Sequence, residues 1–331
     1  MASLDSAPIL SLTLWTCHDP DPGSRRSRPR LCRTSGPAST AWAWPCAGPA
    51  TACARRGEQP GVVIAKVEGD GGKLPRTADK NTAGVAVAEL LRRYAPDAGV
   101  ELEVYKGLPL GSGLGSSGAS ACAALVAADA ALGLGLQPAQ LVDLAREGER
   151  VACGAAHPDN VAPAILGGVV LIPQLDPLRL IALPSPADLW LAVYTPGCSV
   201  STAEARAVLP AQVPLAATVQ QASRLGLLVH ALHCGDLSLL GEAIVDELVE
   251  PCRARLIPGY LDAKAACCEA GALACSISGS GPTTFALAGS RGRAEAMLAI
   301  LEECFTLAGV PGNGLVDQVG PGARVVSTLL H

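Results

Sequence analysis

The sequence is poor in aromatic residues and has no excess of positive charge. Phe, Trp and Tyr make up 3% of its 331 residues. Lys and Arg number 25 against 30 Asp and Glu, so the formal charge is −5 and no overall basic field is available for a nucleic acid. We therefore expect no nucleic-acid partner, and a core built mainly from Ala, Leu and Val.

Long apolar runs are also missing. The apolar stretch at 8–17 follows Asp5 rather than basic residues, and no small-residue cleavage site comes after it, so a signal peptide is not expected. The most apolar later segment, around 119–137, contains Asp129 and is rich in Ala and Gly. We expect no membrane span and a cytoplasmic protein.

Cysteines with a paired, motif-like spacing are absent, although cysteine itself is frequent. The 13 cysteines are scattered, form no CxxC motif and include the direct neighbours Cys267 and Cys268. This spacing favours reduced thiols in a cytosolic protein over disulfides or a zinc site. Gly (36 residues) and Pro (26 residues) are plentiful by contrast, and they predict many tight turns.

Strand and helix patterns alternate from Gly61 onward. Period-two alternation and β-branched residues predict strands at 61–69, 100–110, 167–174 and 189–197, and a strand, a glycine turn and a strand within 272–289. Helical periodicity predicts helices at 81–94, 116–132, 137–153, 202–209 and 214–250. Because hairpins and crossovers are mixed in this order, we expect an α+β fold in two lobes rather than a doubly wound sheet.

The strongest local signal is a loop of glycines and serines between a predicted strand and a predicted helix. Residues 108–121, LPLGSGLGSSGASA, place glycines and hydroxyl groups where a helix N-terminus exposes unpaired N–H groups. This combination predicts an anion cradle. The loop lacks the GK[ST] of a Walker A motif and the acidic residue of a dinucleotide fingerprint. The alternative is a flexible loop followed by a closely packed helix of small residues.

This loop resembles the phosphate loop of the GHMP kinases, PxxxGLGSSAAS, with Gly118 in place of the first Ala. The resemblance implies that the loop binds ATP through Pro109, Leu110, Gly111, Ser112, Gly113, Leu114, Gly115, Ser116, Ser117, Gly118, Ala119 and Ser120. The segment 276–287, SISGSGPTTFAL, is similar to the family's C-terminal glycine motif. Segments 157–168, 195–210 and 250–260 resemble the homoserine kinase branch of this family.

The resemblance assigns a role to individual residues. Glu149 and Ser117 would bind Mg²⁺, a hard cation that prefers oxygen ligands. The implied substrate contacts are His157, Asp159, Asn160, Thr202, Arg206, Arg253 and Gly279. Two arginines suit a carboxylate because a guanidinium makes bidentate bonds to it, and Arg255 competes with Arg253 for that role. Asn160 stands where related kinases have a catalytic aspartate, so we expect no strong base.

Each of these residues can also be interpreted as having a purely structural role, without binding or catalysis. Glu149 lies in the ion-rich run REGER and would then be a solvated glutamate. The turn at His157, Asp159 and Asn160 would use its Asp and Asn to cap the backbone. Arg206 and Arg253 would then be surface arginines on helices.

The resemblance implies a fold, an activity and a division of the chain. The fold would be the two-lobe α+β GHMP kinase architecture, with an ATP-binding lobe at 57–175 and a ferredoxin-like lobe at 176–331. The activity would be ATP-dependent phosphorylation of L-homoserine to O-phospho-L-homoserine, in threonine biosynthesis, by a homodimer. The alternatives are another small-molecule kinase of the family, or an inactive relative that only binds ligands.

The segment 1–56 departs from the family. A motif of the form PASTSNLGPGFDCLGLAL, which supplies an Asn and an Asp to the site and a first strand, is missing there. A shifted reading frame, in which the third base of each codon is read with the first two bases of the next, restores this motif. In that frame the codons of Trp42 and Ala43 must encode Gly, and those of Trp44 and Pro45 must encode Ala. The codons from Arg33 to Pro45 permit the sequence NLGPGFDCLGLA. We infer that the segment ahead of about Cys53 is read out of frame. The alternative is a divergent, disordered tail.

We predict that sequencing the DNA over codons 20–60 will reveal a single-base gain or loss whose correction restores NLGPGFD. The hypothesis fails if no such change restores that motif.

Overall fold

The computed structural model describes residues 31–35, 49–108, 110–153 and 157–327. The described residues form eleven strands: β1 (Leu31–Ser35), β2 (Pro49–Gly57), β3 (Gly61–Glu68), β4 (Gly99–Tyr105), β5 (Val169–Leu175), β6 (Leu178–Leu183), β7 (Trp190–Thr195), β8 (Ala274–Ile277), β9 (Thr284–Ala288), β10 (Asn313–Gln318) and β11 (Arg324–Ser327). They also form ten α-helices: α1 (Thr82–Tyr94), α2 (Ser116–Leu132), α3 (Pro138–Cys153), α4 (Val161–Leu166), α5 (Thr202–Ala207), α6 (Leu215–Cys234), α7 (Leu237–Ala243), α8 (Glu250–Ala254), α9 (Tyr260–Glu269) and α10 (Arg291–Leu307).

The N-terminal lobe is a mixed sheet covered by helices. Among the described strands its order is β11-β1-β2-β4-β3, with β3 and β4 parallel and the other pairs antiparallel. Helix α2 is built largely from alanine and is buried on most of its surface, so it forms the centre of the lobe. Gly148 lets α3 approach α1 closely, because a Cβ there would lie 2.6 Å from the carbonyl oxygen of Thr82.

The C-terminal lobe has the ferredoxin-like arrangement expected from the sequence. Its described strands lie in the order β10-β7-β9-β8, all antiparallel. Along the chain, helices α5 to α9 separate β7 from β8, and α10 separates β9 from β10, which is a βαββαβ order. Tyr194 of β7 stacks on Phe305 of α10 with ring centroids 5.3 Å apart, and both side chains are buried.

Most helix limits follow the sequence pattern, but the helix expected over 214–250 is wrong. Helix α6 ends at Gly235, which has φ +67° and so takes the left-handed conformation that ends helices. Asp236 then begins α7, accepting hydrogen bonds from the N–H groups of Ser238 and Leu239. A glycine followed by a capping aspartate therefore splits the helix in two.

The segment 1–56 is described only in part. Residues 31–35 form β1, which pairs with β2 and β11, and the buried Ala52, Cys53 and Ala54 lie on β2. Residues 1–30 and 36–48 lie outside the described ranges, so the reading-frame hypothesis stays a prediction.

Strand pairing crosses both lobe limits expected from the sequence. Strand β2 spans the limit at 56/57, and the hairpin of β5 and β6 spans the limit at 175/176. The last described strand, β11, returns to the N-terminal sheet.

None of the helices in the described ranges is long and apolar enough to cross a membrane. Free thiols are present at Cys53, Cys122, Cys198, Cys234, Cys252, Cys267, Cys268, Cys275 and Cys304.

Candidate active site

A cavity of about 670 Å³ opens between the two lobes. Its wall includes fifteen of the residues singled out from the sequence: Leu110, Gly111, Ser112, Gly113, Gly115, Ser116, Ser117, Ser120, Glu149, His157, Asp159, Asn160, Thr202, Arg206 and Arg253. The glycine loop therefore faces the acidic and basic residues of the more distant motifs across one space.

Four of the singled-out residues lie behind the wall instead. Leu114 and Ala119 pack into an apolar cluster between the lobes, and Gly118 is buried in the first turn of α2. Gly279 supports the wall from behind, since its carbonyl oxygen accepts a hydrogen bond from Arg253. Pro109 lies outside the described residues.

The glycine loop is shaped by three residues with positive φ. Gly111, Gly113 and Gly115 have φ of +68°, +78° and +61°, a region that side chains disfavour, and Gly115 caps the N-terminus of α2. A Cβ at Gly113 would lie 2.6 Å from the carbonyl oxygens of both Ser278 and Gly281. The loop thus needs glycine for its conformation and for its close contact with the turn between β8 and β9.

Hydrogen bonds tie this loop to the turn between β8 and β9. Thr283 donates to the carbonyl oxygen of Ser112 through its hydroxyl at 2.6 Å and its N–H at 3.2 Å. Because that hydroxyl proton is used, the 2.7 Å contact between the hydroxyls of Thr195 and Thr283 must be donated by Thr195. Ser278 donates to the carbonyl oxygen of Gly113 at 3.3 Å.

The direction of these bonds determines what the loop presents to the cavity. In a trans peptide the C=O and the following N–H point in opposite directions. With the Ser112 carbonyl held by the turn, the N–H of Gly113 points away from the turn. Together with the start of α2, this makes a concave donor surface suited to phosphate oxygens.

Lys106 lies beneath the loop and was not singled out from the sequence. Its ammonium donates to the carbonyl oxygen of Ser116 at 2.5 Å and to the hydroxyl of Ser120 at 2.7 Å, and it lines the cavity. Burial lowers the pKa of Lys106 to about 8, against the opposing charges of Glu149 and Asp70. The only sequence signal was a lysine between a strand and the glycine loop. It adds a positive charge at the anion cradle.

Glu149 is buried at the cavity wall, with 2% of its surface exposed. A Cβ at Gly118 would lie 3.3 Å from the Cβ of Asn160, so glycine lets α2 approach Asn160 closely. The Cδ of Glu149 would lie 3.6 Å from that Cβ, which is an ordinary contact distance. The described residues hold no group of three or more His, Cys, Asp or Glu side chains that could bind a metal ion. Glu149 and Ser117 both line the cavity, and one carboxylate with one hydroxyl fits Mg²⁺, which commonly shares its coordination between a carboxylate and phosphates.

Asn160 presents a buried acceptor to the cavity. Asp159 Oδ1 accepts hydrogen bonds from the N–H of Asn160 at 2.9 Å and from its Nδ2 at 3.2 Å. This contact orients the amide, because the flipped form would set two oxygens against each other. Asn160 Oδ1 has no hydrogen-bond partner among the described residues. It can therefore accept a hydrogen bond from a ligand hydroxyl.

The two arginines on the wall come from α5 and α8. Arg253 is 4% exposed and donates to the carbonyl oxygens of Gly279 at 2.7 Å and Ala205 at 3.3 Å. Burial lowers the pKa of Arg253, and the charge of Asp246 opposes that shift. Arg255 is exposed and does not line the cavity, so Arg253 is the one of the two that reaches it.

Two family models match the chain. The model described as the GHMP kinase N-terminal domain matches residues 81–168, and the model described as the GHMP kinase C-terminal domain matches residues 228–307. The first covers the glycine loop together with Glu149 and Asn160. The second covers Arg253 and the turn that holds the loop.

Curated relatives and solved structures agree with this match. A homoserine kinase of Chlorobium phaeobacteroides is 46% identical over 259 residues, which cover 76% of this chain and 81% of that protein. One from Chlorobaculum tepidum is 42% identical over 283 residues, covering 83% and 87%. The crystal structure of homoserine kinase from Cytophaga hutchinsonii superposes with a TM-score of 0.85 at 35% identity, covering 92% of this chain and all of that one. The chain therefore belongs to the GHMP kinase family, in its homoserine kinase branch.

Proposed function

We propose that the protein transfers a phosphoryl group from ATP to the side-chain hydroxyl of L-homoserine, giving O-phospho-L-homoserine for threonine biosynthesis. The observation that carries this proposal is the distribution of groups around one cavity. The glycine loop, whose N–H groups would bind phosphate, lines this cavity together with Arg253, Arg206 and Asp159. Such a cavity takes a nucleotide together with a small ligand that has both a carboxylate and an ammonium group.

The small ligand's charged ends match the side chains opposite the loop. Arg206 and Arg253 would hold the carboxylate, a task suited to planar guanidinium groups. His157 and Asp159 would receive the ammonium group, and Thr202 adds a hydroxyl at the same wall. A sugar or an isoprenoid alcohol would leave these charges without a counterpart, and this favours an amino acid among the substrates of the family.

Transfer in this site depends on positioning and on charge neutralisation. Phosphoryl transfer has a loose transition state, so in-line alignment matters more than covalent help. Asn160 Oδ1 would accept the hydrogen bond of the substrate hydroxyl and direct its oxygen, without acting as a strong base. The loop N–H groups, the N-terminus of α2 and Lys106 would stabilise the charge on the transferring group.

Magnesium is part of this proposal. Glu149 and Ser117 would hold the ion, and when bound it would neutralise the charge of the phosphate oxygens. The position of Glu149 supports this role, because its buried carboxylate lies on the cavity wall and oxygen ligands of this kind suit a hard cation.

We further propose a cytoplasmic homodimer that binds no nucleic acid. The free thiols described above support a reducing compartment, and the net charge of −5 gives no attraction to nucleic acid. Helix α6 supports self-association. Leu215 and Val219 on it are 78% and 58% exposed, and Arg224, its one charged residue, is paired with Glu247.

Replacing Glu149 with Ala or Gln tests the catalytic proposal. We expect magnesium-dependent, homoserine-dependent ATP consumption by the unaltered protein. We expect a loss of about 100-fold or more in kcat for both variants, because the carboxylate that would hold the metal ion is gone. Coupled measurement of ADP release provides the rate. The control is Glu147→Ala on the same helix, since Glu147 pairs with Arg150 at the surface. Near-normal turnover by Glu149→Gln would contradict the metal role. A protein that shows a thermal shift with ligands but no turnover would be an inactive relative.

Replacing Thr283 with Val tests how the glycine loop is held. The change removes one hydroxyl at nearly constant volume and costs about 1–2 kcal/mol of hydrogen bonding, so we expect the KM for ATP to rise about 5- to 10-fold. Thr284→Val is the matched control, because the buried Thr284 hydroxyl donates to the carbonyl oxygen of Pro282 within its own turn. An unchanged KM for ATP in folded Thr283→Val would show that the loop does not depend on this bond.

The oligomeric state can be read from the molar mass in solution. We expect light scattering to give the mass of a dimer, and Val219→Glu to give a monomer by placing a charge in the apolar contact. Leu261→Glu changes a comparably exposed leucine on α9 and should stay dimeric. A monomeric unaltered protein would rule out the homodimer, and a dimeric Val219→Glu would exclude α6 as its interface.

A further inference from the structure

The helix that carries Arg253 is too short to keep a fixed orientation without contacts to the rest of the lobe. Helix α8 has five residues, Glu250–Ala254, and a single turn is not stable without outside contacts. Its beginning is fixed by Asp246, whose carboxylate accepts hydrogen bonds from the N–H groups of Leu248, Val249 and Glu250 at 2.9, 2.8 and 3.1 Å. These bonds hold the backbone at one end. They leave open what determines the rotation of the turn that carries Arg253.

A second set of contacts holds the side of this turn, and Glu250 makes them. Its carboxylate forms an ion pair with Lys264 of α9 and accepts a hydrogen bond from the hydroxyl of Ser276 on β8 at 2.7 Å. Glu250 is 7% exposed, and the buried ring of Tyr260 lies beside it. Both carboxylate oxygens are therefore used on two different elements of the lobe.

Glu250 and Arg253 lie one helical turn apart, so an anchor at one determines the direction of the other. Strand β8, on which Ser276 lies, continues directly into the turn whose Gly279 carbonyl receives Arg253. The same turn holds the glycine loop through Ser278. The anchor of Glu250 and the acceptor of Arg253 thus belong to one continuous segment of chain.

We propose that Glu250 is a positioning residue for Arg253, which rotates α8 so that the guanidinium meets the carboxylate of the small substrate. Glu250 itself does not line the cavity. Its effect is therefore on selectivity for ligands that bear a carboxylate, and not on the transfer step. This inference rests on the proposed function, since it requires a substrate with a carboxylate group.

The test is Glu250→Gln, which keeps the shape and removes the charge. The comparison ligand is 3-aminopropanol, which has the amino and hydroxyl groups of homoserine but no carboxylate. We expect the KM for L-homoserine to rise about tenfold, because one charge-assisted contact to the carboxylate is misdirected. We expect kcat, the KM for ATP and the inhibition constant of 3-aminopropanol to change less than about twofold. A general weakening of the lobe would change all four.

Ser276→Ala provides a second, milder variant that removes only the anchor on β8, and we expect the same selective rise in KM, of about threefold. It decides the question if Glu250→Gln does not fold. Glu269→Gln, an exposed glutamate of α9, is the control and should match the unaltered protein.

An unaltered protein that does not phosphorylate homoserine would overturn the proposed function and this inference with it. An active unaltered protein whose folded variants show an unchanged KM for homoserine, or equal changes for homoserine and 3-aminopropanol, would overturn the inference alone.

Discussion

The contact between the glycine loop and the turn of the C-terminal lobe is the interaction on which the site depends. It joins the carbonyl oxygens of Ser112 and Gly113 to Thr283 and Ser278, and so couples the two lobes by hydrogen bonds in addition to the apolar cluster between them. These hydrogen bonds fix the direction of both carbonyl groups, and the orientation of the loop toward the cavity follows from it. The same turn carries Gly279, the acceptor of Arg253, and the two ligand-binding walls therefore share one support.

Small residues make this arrangement physically feasible. Gly113 allows the loop to meet the turn, and Gly118 allows α2 to approach Asn160. The low aromatic content and the alanine-rich α2 serve the same end, because close helix contacts bring the polar wall residues together without large side chains between them. A composition poor in aromatic residues and rich in alanine and glycine therefore allows the N-terminal lobe to pack tightly.

The sequence patterns predict the parts of the site that lie on regular elements. Helix α2 begins and ends where its pattern predicts, and the loop before it follows from its glycines. Lys106 could not be found in that way, because a single lysine after a strand has no period and gains meaning only from Ser116 and Ser120 folding over it. The sequence pattern does not predict the helix break at Gly235, because helical periodicity continues on both sides of it. The choice between Arg253 and Arg255 likewise depends on which faces the cavity, a matter of tertiary packing.

A structure of the protein with a non-hydrolysable ATP analogue and L-homoserine would show whether one shared turn orients both ligands. We expect the phosphates on the N–H groups between Gly111 and Gly118, and the carboxylate of homoserine on Arg253 while that side chain still donates to Gly279. Phosphates bound away from the loop, or a carboxylate that does not touch Arg253, would contradict it.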